Sequence, residues 1–144
     1  MTRGAVGLLA LSLLFGCSDS TGPIEVAPIY ALVTADGHTM PWRSYRVVGE
    51  TGCVADLLDS HITFSDSGRY EFTLSTRLSC TDGVHPPSLA ISQGSYTREG
   101  NSIILDPDVT STYAIGMVRL QKAGLTAVLS TSGQQYQLVY RAGF

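Results

Sequence analysis

Three cysteines, three histidines and two short acidic clusters are the side chains of this 144-residue chain with the widest chemical repertoire. A metal site wants His, Cys or carboxylate ligands at close spacing, as in a Cys-x-x-Cys or His-x-x-x-His pattern. His38, His61 and His85 fall instead in a turn, a strand and the loop at Pro86-Pro87, and neither Cys53 nor Cys80 has such a neighbour, so no metal site is expected. Asp106-Pro107-Asp108 offers carboxylates to calcium without EF-hand spacing and reads as a solvated turn. Asp56 and Asp59 have no second acidic element tied to them. They read as caps or solvated charges on a short helical turn over 54–59, not as an acid/base pair. No nucleophile elbow, phosphate-cradling loop, zinc-protease helix or dinucleotide fingerprint occurs. No catalytic residue and no cofactor is assigned, and the expected role is not enzymatic.

Cys17 stands in a different context. Arg3 supplies a positive charge, Ala5 to Phe15 form an apolar run broken only by Ser12, and Gly16 is the small residue before the cysteine. The run is too short to span a bilayer as a mature helix. The alternatives are an ordinary signal peptide, which would want an Ala-x-Ala-like cut that is absent here, and a buried helix, which would show polar positions at helical spacing. Leu14-Phe15-Gly16-Cys17 resembles a bacterial lipobox. The resemblance implies cleavage after Gly16 and two or three acyl chains on Cys17, a durable anchor where one chain would hold only marginally. Ser18, in place of the aspartate that favours inner-membrane retention in enterobacterial lipoproteins, points by the same resemblance to the outer membrane. The expected organisation is a signal peptide at 1–16, a lipidated cysteine and flexible tether at 17–27, and one domain at 28–144. The location is the cell envelope, with the membrane as partner through Cys17.

Loss of Arg3 from the nine Lys and Arg leaves eight against twelve Asp and Glu, a formal charge of −4 with Lys122 the single lysine. That surface offers no basic stripe, and no nucleic-acid partner is expected. No second apolar run approaches the roughly 20 residues of a membrane span. With Cys17 assigned to lipid, the even pair Cys53 and Cys80 reads as a disulfide in an oxidising compartment, against the alternative of two free thiols.

Past the tether, period-2 alternation dominates. Tyr70, Phe72, Leu74 and Leu78 alternate with Glu71 and Arg77; Tyr136, Leu138 and Tyr140 form another inward set, as do Leu125, Ala127 and Leu129, and Ile62 and Phe64. Strands are predicted near 29–34, 43–49, 60–66, 69–78, 88–97, 102–106, 111–121, 124–130 and 135–141, with tight turns at Asp36-Gly37, Asp66-Ser67-Gly68, Glu99-Gly100-Asn101, Lys122-Ala123-Gly124 and Ser132-Gly133. The predicted fold class is all-β: one antiparallel up-and-down meander of eight or nine strands closed into a barrel, which removes exposed edges. If residues 66 and 69 pair across their turn, Cys53 and Cys80 come within about one residue pair of facing each other, an offset a bulge could correct. An immunoglobulin-like sandwich is the alternative, but it would place a tryptophan between its cysteines, and Trp42 precedes both.

The hairpin elements Tyr30, Leu32, Val33, Asp36-Gly37 and Pro41, the run Ile-Thr-Phe-Ser-Asp-Ser-Gly-x-Tyr at 62–70 and Gly-Ser-Tyr-Thr at 94–97 resemble the small lipocalin-like domains of bacterial lipoproteins. A cysteine on either side of the 62–70 hairpin completes the likeness, which spans roughly 28–141. Pro28-Ile29-Tyr30 stands where true lipocalins carry Gly-x-Trp. Tyr70, Tyr96, Tyr113, Tyr136 and Tyr140 fall on inward or rim positions. Either their rings fill the barrel, or Tyr70, Tyr113, Tyr136 and Tyr140 line a pocket for a small apolar ligand. Competition from Phe64, Phe72, Leu74, Ile115, Met117, Leu129 and Leu138 favours a mostly filled interior. Short connections at 66–69, 98–101 and 122–124 alternate with long ones at 50–59, 79–87 and 106–111. One rim is therefore expected to be sealed, and the other to carry the long loops, the disulfide and any function. Two roles remain open: a carrier of a small hydrophobic ligand, or an envelope module that presents its long-loop rim to a protein.

Overall fold

Alternating side chains give each segment one apolar face, and closing the sheet turns every such face onto a common interior. The computed structural model describes residues 24–48, 53–109, 113–131 and 133–143. Its strands are β1 (Ile29–Ala35), β2 (His38–Thr39), β3 (Trp42–Val48), β4 (Cys53–Phe64), β5 (Arg69–Cys80), β6 (Gly83–Val84), β7 (Ser88–Glu99), β8 (Ser102–Pro107), β9 (Tyr113–Gln121), β10 (Gly124–Thr131) and β11 (Gln134–Ala142). Every pairing is antiparallel, and the order β1-β11-β10-β9-β8-β7-β5-β4 closes where Ile29–Ala31 meets His61–Thr63. The result is an eight-stranded barrel with β2, β3 and β6 outside the ring. β1 and β3 share one edge of β4, β1 on His61–Thr63 and β3 on Cys53–Leu57. The Asp36-Gly37 hairpin, β2 and the cis Met40–Pro41 bond make the excursion between them.

The predicted inward sets meet in one core. Tyr30, Leu57, Ile62, Phe72, Leu74, Val118, Leu125, Leu129, Leu138 and Tyr140 are each less than 2% exposed or close to it. The rings of Tyr30, Phe64 and Tyr96 pack edge to face, with centroids 5.9 and 4.8 Å apart.

Several expectations need correction. Residues 54–59 form no helical turn but the first half of β4, so the long connection predicted over 50–59 is strand from Cys53 onward. Val54, Leu57 and Leu58 imitate helical spacing because Leu58 is the extra residue of a bulge between Leu57↔Thr76 and Asp59↔Ser75. The β4–β5 turn pairs Phe64 with Tyr70 and Ser65 with Arg69, a three-residue loop where two residues were predicted, which shifts the register by one, and the bulge shifts it by one more. Val54 then faces Ser79, and Cys53 and Cys80 stand opposite each other with Cα atoms 4.0 Å apart, joined as a disulfide. Met117 does not point inward. A second bulge, between Arg119↔Thr126 and Gly116↔Val128, holds Met117 at φ +48° and 65% exposed while Val118 takes the buried place. Asp106 and Pro107 belong to β8, and Asp56 is buried beside Arg77, 3.2 Å away, not solvated.

The connections segregate as expected. Turns at 65–68, 100–101 and 122–123 lie at one end, together with Ile24–Pro28 and Gly143, whose amide donates to the Ile29 carbonyl. Residues 24–27, read as the end of the tether, cover this end: Ile24, Val26 and Ala27 pack on the core and the Ala27 amide donates to Tyr30. The connections at 36–37 and 81–87 and the disulfide lie at the other.

Candidate functional site

At the long-loop end several inward side chains are only partly covered, above the buried Leu57, Thr76, Thr131 and Tyr136. Trp42, opposite Leu57 on β4, stacks flat on His38 at 4.6 Å and meets the edge of Tyr136 at 5.8 Å. Leu78 and Ala90 are half-buried against the core from β5 and β7, and Tyr113 from β9. Thr76 and Ser88 share a hydroxyl–hydroxyl bond of 3.0 Å between them. Tyr113 faces Thr131, which faces Gln134, the residue whose side chain accepts the Tyr136 hydroxyl. The arrangement is an apolar, aromatic mouth with a few hydroxyls. Such a lining gives an apolar guest surface to bury and a few polar groups to orient it.

The four candidate tyrosines divide between two levels. Tyr113 and Tyr136 stand at the mouth. Tyr70 and Tyr140 lie in the packed interior, 3% and 1% exposed, with hydroxyls against Ser92 at 3.3 Å and Ser60 at 2.8 Å. Burial raises the Tyr140 phenol well above its ordinary range, and the Ser60 bond only partly offsets this. Tyr96 sits at the sealed end and donates to the Ser65 carbonyl. Sequence reasoning missed Trp42 at the mouth and weighed His38 only as a metal ligand. The only signal available was that Trp42, the single tryptophan, follows a proline beside the first hairpin.

The histidines stay apart. His38 lies on Trp42, His61 approaches Asp59 on the outer wall at 3.5 Å, and His85 approaches Asp82 at 3.5 Å. Cys80 lies beside Asp82 and His85, but its sulfur is committed to the disulfide, leaving one carboxylate and one imidazole where a metal needs more. Asp108 pairs with Arg69 across the outer wall; that bond lowers the carboxyl's pKa and raises the guanidinium's. Cys17 and the segment before it lie outside the described residues. Comparison of the chain with protein-family models, with curated proteins and with solved structures finds no match.

Proposed function

We propose that this chain is a non-catalytic binding module, anchored in the bacterial envelope through lipid on Cys17, that receives a small apolar ligand at the mouth of a lipocalin-like barrel. The observation that carries the reading is the contrast between the two ends. One is covered by Ile24, Val26 and Ala27 over a filled core, while the other leaves Trp42, Leu78, Ala90 and Tyr113 half-covered, with the Thr76–Ser88 hydroxyl pair two positions before Leu78 and Ala90 on their strands. Ile24 enters at the covered end, and the seven residues from Cys17 to Ile24 reach at most about 25 Å. An anchor at Cys17 would therefore lie beyond that end and leave the mouth facing away from its own membrane. The ligand would arrive from the aqueous side or from a partner.

Trp42 is the only tryptophan, so its emission reports on the mouth alone. Titration of mature protein with N-phenylnaphthylamine is expected to quench Trp42 saturably at one site per chain, and Leu78→Glu to abolish the quenching while the melting transition persists. Linear, unsaturable quenching would overturn the ligand reading. For the anchor, Cys17→Ser is expected to accumulate as an uncut precursor without acyl label; a variant still cut and membrane-bound would refute it.

A further inference from the structure

β8 is the short stave of the barrel. It spans six residues where β4, β5 and β7 span twelve. It pairs with β7 along its whole length, from Glu99↔Ser102 to Gly94↔Pro107. With β9 it pairs only through Ser102↔Arg119 and Ile103↔Val118. Beyond that point, among the described residues, no pairing joins Ile104–Pro107 to Ile115–Met117. The Met117 bulge bends β9 at the point where the two strands part. The slit between them is a groove of about 380 Å³, with Ile104, Leu105, Ile115, Gly116 and Met117 on its walls and Arg119, the one charged residue lining it, at its closed end.

We propose that this slit binds one extended polypeptide segment by strand addition, antiparallel to β8, with apolar side chains at alternate positions and a carboxylate at the Arg119 end. The site is distinct from the mouth, and the inference does not depend on the ligand reading there.

The backbone selects the occupant. An open sheet edge presents N–H and C=O groups that lose their water when the groove is filled, and each costs free energy unless a new hydrogen bond replaces that water. An alkyl chain would cover the apolar walls but leave those groups unpaired. An extended peptide satisfies both, its amides on the edge and alternate side chains on Leu105 and Ile115. Charge sets the polarity. β8 runs away from the closed end, so an antiparallel guest runs towards it and brings its C-terminal side to Arg119. Among the described residues Arg119 makes no ion pair. Its guanidinium is free to hold a carboxylate through paired N–H donors. Four edge positions, Ile104–Pro107, give room for about four residues, roughly 13 Å of strand.

The test uses a fluorescein-labelled hexapeptide of alternating threonine and valine, read by anisotropy against mature protein. Three companions are its C-terminal amide, its alternate-amide N-methylated form, and dodecanoate as competitor. Gly116→Leu is the blocking variant. A Cβ built there meets nothing within 4 Å, so the added side chain should enter the groove without disturbing the fold, which an unchanged melting curve verifies. The free-acid peptide is expected to bind one per chain. Amidation of the peptide, or Arg119→Gln in the protein, should each weaken binding about tenfold, N-methylation and Gly116→Leu should abolish it, and Leu78→Glu at the mouth should leave it intact. Equal binding of the N-methylated peptide, displacement by dodecanoate, indifference to Gly116→Leu, or no peptide binding at all would overturn the proposal.

Discussion

Ser60 and Tyr140 lie 80 positions apart in sequence and meet in the barrel interior, where the Ser60 hydroxyl also donates to the Thr73 carbonyl at 2.7 Å. A phenol buried among Ile62, Leu125 and Leu138 is tolerable only because that partner is present. Tyr140→Phe removes one bond but leaves Ser60 its contact with Thr73, so urea titration should show a loss of about 0.5–1.5 kcal/mol. The same site gives a pH dependence. Desolvation raises the folded-state pKa of Tyr140, so the fold favours its neutral form. Its contribution is fully present below the unfolded tyrosine value of about 10 and is lost as pH rises from there through the raised folded value. Denaturation profiles above pH 10 should therefore be flatter in Tyr140→Phe than in the parent. An identical alkaline slope would show that Tyr140 ionises freely in the folded chain.

At the level of strands, alternation was readable wherever it ran unbroken. Tyr70, Phe72 and Leu74, or Leu125, Ala127 and Leu129, could sit inward only as strands, and they do. It failed where an extra residue slides the pattern. Leu57-Leu58 turned a twofold period into a threefold step and resembled a helix, and Gly116-Met117-Val118 sent the wrong apolar side chain to the core. A bulge is a response of one strand to its neighbour, and neither sequence alone contains it. The mouth was legible as an end of the barrel, from loop lengths, but Trp42 was not, because it arrives on β3, a strand outside the ring. The β4 bulge also has an energetic consequence, since it brings Cys53 opposite Cys80 and lets the bond close a long loop between residues 27 positions apart. Restricting the unfolded chain in this way contributes about 3–4 kcal/mol. Thiol counting on denatured exported protein should find neither Cys53 nor Cys80 free, and reduction should lower the unfolding free energy from urea titration by an amount in that range. Two alkylatable thiols would refute the bridge.

For the molecule as a whole, the question is how a barrel of eight strands divides its interior between core and site. A ring of this size is just wide enough either to be filled by side chains or to hold one small ligand. This barrel is filled through the layers holding Tyr30, Ile62, Phe72, Leu74, Leu138 and Tyr140, and the proposed ligand site is confined to the end around Trp42 and Tyr136. The division is testable through Phe72, which is 1% exposed and faces Ile62 across the β4–β5 ladder. Deleting a ring from a close-packed layer removes its transfer energy and leaves a cavity, so Phe72→Ala should cost about 3–5 kcal/mol in urea titration. Were Phe72 the wall of a solvated pocket, the loss would approach the transfer energy alone, about 1.5–3 kcal/mol. Binding separates the two cases further. If core and mouth are distinct, N-phenylnaphthylamine should quench Trp42 in the variant with parental affinity under native conditions, because the cavity opens below the ligand and not beside it. A small stability loss together with altered affinity would mean that the ligand reaches down to Phe72, and that the barrel is hollow where its side chains fill it in this structure.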